Sequence, residues 1–221
     1  MPDIRFTIEV DCESDEPSRV VPAFHGEILE YEEDSDEKSR IGHIDGYLVM
    51  RGRAMDEGED LFHAMDSISS STAECFEALF EHETGSWNEA VDSLYEHDIP
   101  GHDVLFIETI DIEPAYRGKG IGAQVVRETI ATFGASCGLV ACKPFALQYA
   151  NWLAEEKKTM REQPGFEAKR LADFNKVAQF WSDLGFRKVP NSDFYTFAPQ
   201  LVQQPSGGRR IRSSQLRSVC A

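Results

Sequence analysis

The run from Asp103 to Gly122, "DVLFIETIDIEPAYRGKGIG", decides how this chain is read. Its first half is dense in apolar and β-branched residues and stops at Pro114, the pattern of a buried strand. Tyr116 to Gly122, "YRGKGIG", then packs three glycines and two cations into seven residues. The continuation, "IGAQVVRETIATF", repeats apolar residues at helical spacing: Ile121, Val125, Val126, Ile130 and Phe133. Strand, glycine loop and helix follow one another directly. Glycines at such a junction let the backbone approach an anion, because no Cβ stands in the way. The helix start supplies unpaired N–H groups and the positive end of the dipole.

Two familiar phosphate loops do not fit this stretch. A Walker A loop needs Ser or Thr after its lysine, and Lys119 is followed by Gly120. Gly118, Gly120 and Ala123 match a dinucleotide-binding G-x-G-x-x-A in form. That fingerprint wants an acid at the end of the next strand to hold a ribose, and "GLVACKPF" (138–145) has none. The loop also lies mid-chain behind antiparallel-looking strands, rather than opening a βαβ series.

Outward from the loop, "DIRFTIEVD" alternates Ile4, Phe6, Ile8 and Val10, a strand of period two. "RVVPAFHGEILEY" and "RIGHIDGYLVMRG" read as a long hairpin whose acidic tip is "EEDSDEKS" (32–39), with Pro22 marking an edge or bulge. From about Glu57 the spacing becomes helical. Two helices are expected over about 57–97, one capped by Ser71 or Thr72, the other by Ser86 with Glu89 closing a capping box. "CGLVACKPF" reads as a buried strand, and 150–170 as a polar helix or loop. "DFNKVAQFWSDLGF" reads as a helix ending at Gly185, and "FRKV" with "DFYTF" as a closing hairpin around Pro190-Asn191. The chain after Pro199 reads as a flexible basic tail.

The bulk numbers narrow the class. Net charge is −17, from 39 acidic and 22 basic residues. Four of the basic residues are arginines between Pro205 and Ala221; without them 18 basic face 39 acidic residues, leaving a body of −21. Such a body repels nucleic acid and favours cationic partners. No apolar run reaches the ~20 residues of a membrane span. The amino terminus lacks the basic and apolar regions of a signal peptide. Cys12, Cys75, Cys137, Cys142 and Cys220 form an odd set without a C-x-x-C pair, which suits reduced thiols in a cytoplasm and no metal site. Cys137 and Cys142, at odd spacing on a strand, are expected on opposite faces. The histidines show no ligand spacing and read as surface or packing residues.

Two motifs in order then give the chain a likeness. Ile112, Pro114 and Tyr116 to Gly122 are followed, after a helix and a strand, by Phe180-Trp181-Ser182-Asp183-Leu184-Gly185-Phe186. This succession resembles the GNAT superfamily of acyl-CoA N-acyltransferases over residues 101–197. The resemblance implies a single α/β domain over 1–199, with a twisted, mixed, largely antiparallel sheet flanked by helices. Residues 1–100 would form a divergent acceptor-side half, 101–199 an acetyl-CoA-binding half, and 200–221 a tail. It implies that Arg117, Gly118, Lys119, Gly120, Ile121 and Gly122 cradle the pyrophosphate of coenzyme A, mainly through main-chain amides. The strand before the loop would splay from its neighbour, "GLVACKPF". The acyl group would enter that gap and meet backbone amides around Thr109 to Ile112, with Ile110 and Ile112 lining the cofactor. Phe180 and Trp181 would pack beneath it.

Chemically, the transfer needs a neutral amine, a stabilised oxyanion and a departing thiolate. Glu108 interrupts the apolar run "LFIETI", on the same face as Phe106, Ile110 and Ile112 by strict alternation, and a half-buried carboxylate there suits a general base. Asp103 and His102, at the strand's entrance, are the fallback. Many relatives carry Tyr where this chain has Trp181, and an indole N–H is no practical acid. The leaving-group proton would then come from water, Tyr195 or Tyr149, or be unnecessary. A second departure is the order of elements, with three strands ahead of the helices where the family usually has two helices between its first and second strands. No cysteine pairs with a histidine at the gap, so direct attack in a ternary complex is expected. The expected activity is acetyl transfer from acetyl-CoA to a primary amine, on a small molecule or peptide and preferably cationic. No metal, nucleic acid or membrane partner is expected, and a homodimer is allowed. The competing function is a non-catalytic acyl-CoA-binding or protein-docking module.

Overall fold

A computed structural model describes residues 2–9, 17–31, 38–96, 99–149 and 164–202. The acidic tip at 32–37, Cys12, Cys220, His97, the stretch 150–163 and the tail from 203 lie outside the described residues. Seven strands form one mixed sheet: β1 (Asp3–Glu9), β2 (Ala23–Tyr31), β3 (Lys38–Val49), β4 (Val104–Ile112), β5 (Leu139–Cys142), β6 (Arg187–Lys188) and β7 (Tyr195–Phe197). Their order is β1-β2-β3-β4-β5-β7-β6. Only the β4–β5 pair is parallel, as the intervening helix requires. The α/β class and the largely antiparallel sheet expected from the sequence are what the chain adopts.

Helices cover both faces. Between β3 and β4 run α1 (Arg51–Glu57), α2 (Leu61–Ile68), α3 (Ser70–Leu79) and α4 (Glu89–Leu94). Two helices were expected there; four short ones form, and the first begins within the stretch read as the end of a strand. The opposite face carries α5 (Ile121–Phe133) and α6 (Phe166–Asp183). One core cluster joins Met65, Cys75, Phe76, Leu79 and Val91 to Val104 and Phe106 of β4. The other joins Val125, Val126, Trp181 and Phe186 to Leu105 and Ile107 of the same strand. β4 therefore sits at the centre of the molecule, feeding alternate side chains into two cores.

Several local expectations shift. The cap of α3 is Ser69, whose hydroxyl accepts from the Thr72 amide at 3.1 Å while Thr72 returns a bond to the Ser69 amide. The cap of α4 is Asn88, not Ser86, with its side-chain oxygen 3.0 Å from the Val91 amide. The ordered chain runs slightly past Pro199: α7 (Pro199–Val202) lays Leu201 against the first core, and Gln200 donates to the Ala135 carbonyl at 3.2 Å. Cys137 precedes β5 rather than lying on it, so strand alternation does not separate it from Cys142, and both enter the second core.

The decisive irregularity is in β4. Pairing with β3 passes from Gly46↔Ile107 to Asp45↔Thr109, so Glu108 is an extra residue, a bulge. Gly46 makes this possible, because a Cβ there would stand 2.1 Å from the Phe106 carbonyl oxygen. The bulge resets the alternation. Ile107 faces the α5–α6 core before it, and Ile110 and Ile112 face that core after it, while Phe106 faces the other. The expectation that Glu108 shares a face with Ile110 and Ile112 is thereby corrected.

Candidate functional site

The site is built where β4 loses a neighbour. β5 pairs with β4 from Val104↔Leu139 to Ile107↔Cys142 and then ends. β4 continues along β3 as far as Ile112↔Gly42. From Glu108 onward, no described strand pairs with the β5 edge of β4. The Glu113 N–H donates to the Ile41 carbonyl at 2.9 Å, toward β3. Alternation then turns the backbone groups of Ile112 and Ile110 the other way, into the opening. The Ile112 carbonyl indeed receives Arg117 Nε at 2.6 Å.

The glycine loop closes one end of that opening. After a 3-10 turn at Pro114–Tyr116, Gly118 and Gly120 take left-handed φ values of 74° and 80°, where a side chain is strained. Gly120 is the cap residue of α5 and, having no side chain, leaves its first turn without a side-chain cap; among the described residues no other side chain bonds it. The leading amides and the positive end of a thirteen-residue helix are thus presented by the loop. A second wall is α6, through Lys176, Val177, Phe180 and Trp181. The Phe180 ring would lie 3.6 Å from a Cβ added to Gly122, so helix and loop are in close register. The chain leaving β5, Lys143 and Phe145 to Gln148, forms the third wall. Together they enclose a cleft of about 690 Å³, within the range of a small-ligand site.

Of the residues singled out from sequence, Glu108, Ile110, Ile112, Arg117, Gly118, Gly120, Ile121, Gly122, Phe180 and Trp181 all line this cleft. Lys119 does not line it; its ammonium lies 4.8 Å from the centre of the Tyr116 ring. Arg117 pairs with Asp111 at 3.0 Å besides its bond to the Ile112 carbonyl. Lys143 is held by Glu74 at 2.6 Å, and Lys176 lies 3.5 Å from Asp173. The cations around the cleft are engaged with protein partners, so its anion-binding capacity rests first on backbone amides. Trp181 is 6% exposed, edge-on to Phe180 and Phe186 with ring centres 5.4 and 4.9 Å away, which is core packing. Tyr149 donates to Asp173 at 2.8 Å, and Tyr195 packs in the second core. Among the described residues, neither lines the cleft.

Glu108 stands at the fork with partners the sequence did not disclose. Its carboxylate accepts the hydroxyl of Ser71, in the first turn of α3, and so lies against the favourable end of a second helix. Burial holds the Tyr47 phenol above its ordinary value, and the negative charge of Glu108 adds to the effect. The serine run 69–72 offered several equivalent caps and no sign of which residue would reach another strand. Tyr47 carried only the alternation of β3.

The fallback pair is elsewhere. Asp103 accepts the Gly52 amide at 2.9 Å, and His102 lies 3.3 Å from Arg51, both at the closed end of β4. On the exposed sheet face His25 and His43 both contact Asp45, at 2.5 and 3.4 Å, a cluster that sequence spacing did not anticipate. Among the described residues no group of three or more His, Cys, Asp or Glu side chains is placed to hold a metal ion, and no helix is long and apolar enough to cross a membrane. No family model, curated protein or solved structure matches the chain.

Proposed function

We propose that this protein transfers an acetyl group from acetyl-CoA to a primary amine, by direct attack within a ternary complex. One observation carries the reading. The open edge of β4 and the uncapped start of α5 border the same cleft. A thioester with a pyrophosphate tail needs that combination: amides along a strand for the pantetheine and acyl carbonyl, and a helix start for the phosphates. The amides of Ile110 and Ile112 face the opening, those of Ile121 and Gly122 begin α5, and Phe180 and Trp181 support the floor. Glu108, at the point of divergence, is the general base of this reading: it takes a proton from the ammonium, directly or through water, so that the neutral amine attacks the thioester carbonyl. An acidic body of −21 favours a cationic small molecule or peptide as acceptor.

Calorimetry with acetyl-CoA, followed by release of free coenzyme A in the presence of a panel of primary amines, tests this reading. Binding together with turnover supports acetyl transfer. Binding without turnover for any amine would leave an acyl-CoA-binding module. No binding would remove the cleft from acyl-CoA chemistry altogether.

A further inference from the structure

We infer that Glu74 is a positioning residue of the fork between β4 and β5: by holding the Lys143 ammonium, it keeps that cation off the Glu108 carboxylate. This holds on the acetyl-transfer reading of the cleft, in which Glu108 is the base. β4 and β5 run in parallel register up to Ile107↔Cys142. The next residue on each chain is charged, Glu108 on one and Lys143 on the other, and both line the cleft. Opposite charges at the first step past a shared ladder are placed to pair with each other. They do not; among the described residues no ion pair joins them, and each is taken by α3 instead. Ser71 donates its hydroxyl to Glu108, and Glu74 accepts from Lys143 at 2.6 Å. Ser71 and Glu74 are three positions apart, so their Cβ atoms are neighbours on the helix surface, ~5–6 Å from each other. The core side of α3 fixes the helix in this place, with Thr72, Cys75, Phe76 and Leu79 buried. One helix therefore spans the fork and keeps the charges of its two sides apart.

The separation matters because of what an ammonium does to a carboxylate. An opposite charge within ~4–6 Å favours the ionised form and lowers a carboxyl pKa by about 1–3 units. Paired with Lys143, Glu108 would be a weaker base with an oxygen already occupied. Ser71 gives it a neutral donor, which orients the carboxylate without adding a positive charge. The lysine stem is flexible, so Glu74 decides which carboxylate the ammonium meets. In the reaction Glu108 takes a proton from the substrate ammonium, and the neutral nitrogen forms a bond to the acyl carbon. The carbon–sulfur bond breaks, and the departing thiolate receives the second nitrogen proton through water. Glu74 does not line the cleft and acts only through Lys143. The other titratable groups about the fork are Tyr47 and Asp45 on β3, Asp111 on β4 with its partner Arg117, and Lys176 on α6 beside Asp173. Arg117 and Lys176 have their own carboxylates, so Lys143 is the cation that register brings next to Glu108.

The test is Glu74→Gln in the full chain, which keeps the shape of the side chain and removes the charge that holds Lys143. The ion pair is half-exposed, so the melting temperature should stay within about 2 °C of wild type. With acetyl-CoA and the amine panel, kcat is expected to fall ~10-fold with the KM for acetyl-CoA unchanged. The acid limb of the pH–rate profile should move about one pH unit lower, because a carboxylate paired with Lys143 ionises at lower pH. The same substitution in a Lys143→Gln background should change neither kcat nor the limb, since no ammonium is left to reach Glu108. Equal losses in both backgrounds, or no loss in either, overturn the inference. A carbon-13 titration of the Glu108 carboxyl, assigned by the Glu108→Gln difference, reads the same event without substrate. Glu74→Gln should lower its midpoint only where Lys143 is present, and a midpoint that does not move overturns the inference whatever the kinetics. A wild-type chain that fails to bind acetyl-CoA overturns the reading of the cleft instead, and the carboxyl titration still judges the separation of the charges.

Discussion

The two ends of β4 share one backbone and one run of apolar residues, yet they do opposite things. Val104 to Ile107 are all buried and paired on both edges, and they join the two cores. Glu108 to Asp111 are half-exposed and line a cleft; Glu108 is the unpaired residue of the bulge, and among the described strands Thr109 to Asp111 pair with β3 only. Composition does not separate them, since "VLFI" and "TIDI" both make good strand. What separates them is the neighbour. β5 lasts four residues, and where it ends a central strand becomes the edge of a cleft. The bulge at the same point brings the Glu108 carboxylate to the Ser71 hydroxyl of α3. Structure and site are therefore two consecutive stretches of the same strand, divided at Glu108.

The sharpest way to break this division is to attack the bulge. Gly46→Val would push a Cβ to 2.1 Å from the Phe106 carbonyl and into the Phe24 ring at 2.7 Å. Backbone cannot retreat from both, so the loss is expected to be on the order of 3 kcal/mol or more, read as a lower denaturation midpoint with unchanged slope. Stability equal to wild type would mean that β3 and β4 re-register without cost.

On the open side the largest effect belongs to binding rather than stability. A Cβ added at Gly120 meets nothing within 4 Å, so the cost of Gly120→Asp to the fold is mainly the left-handed φ, roughly 1–2 kcal/mol. The carboxylate would occupy the helix start, and acetyl-CoA affinity should fall by ~100-fold or more, about 2.7 kcal/mol. Calorimetry showing unaltered affinity would take the loop out of the site.

Glu108→Gln sharpens the comparison at the dividing residue itself. The amide preserves shape and can still accept from Ser71, but it cannot take a proton. The kcat should drop by ~10²-fold, with acetyl-CoA affinity nearly untouched and the acid limb of the pH–rate profile gone. A variant within a few-fold of wild type would make Glu108 a structural end to the strand.

The smallest effect is on the closed end. Cys137 is buried beside Asp103, and burial, aided by that charge, pushes its thiol up from 9.0 to about 11. A raised thiol is neutral in the folded chain, so its contribution is complete below about pH 9 and is lost as pH rises toward 11. Two pH units correspond to ~2.7 kcal/mol at most, less for the part of the thiol that solvent screens. Cys137→Ala should flatten the alkaline fall in melting temperature relative to wild type. The open end should show no matching change in acetyl-CoA affinity below pH 9.

Local patterning made much of this molecule legible. The period-two runs of β1 to β4, the glycine loop and the helix after it stand where the sequence places them. So does the aromatic pair Phe180-Trp181, because each depends on residues a few positions apart. Caps were less legible: in a run such as Ser69 to Thr72, several neighbours satisfy the same rule and only the packed helix chooses among them. The four short helices of 51–94 escaped for a related reason, since each is too short to show a clear period. Tertiary structure alone decided that β5 stops opposite Ile107, that Gly46 admits a bulge, and that Glu108 meets Ser71, which comes from 37 residues earlier in the chain. By itself the sequence determined the elements and the loop, through local backbone preference and apolar spacing. The tertiary structure determined the open edge and the partners of its carboxylate, because strand ends and cross-sheet contacts depend on which segments pack together.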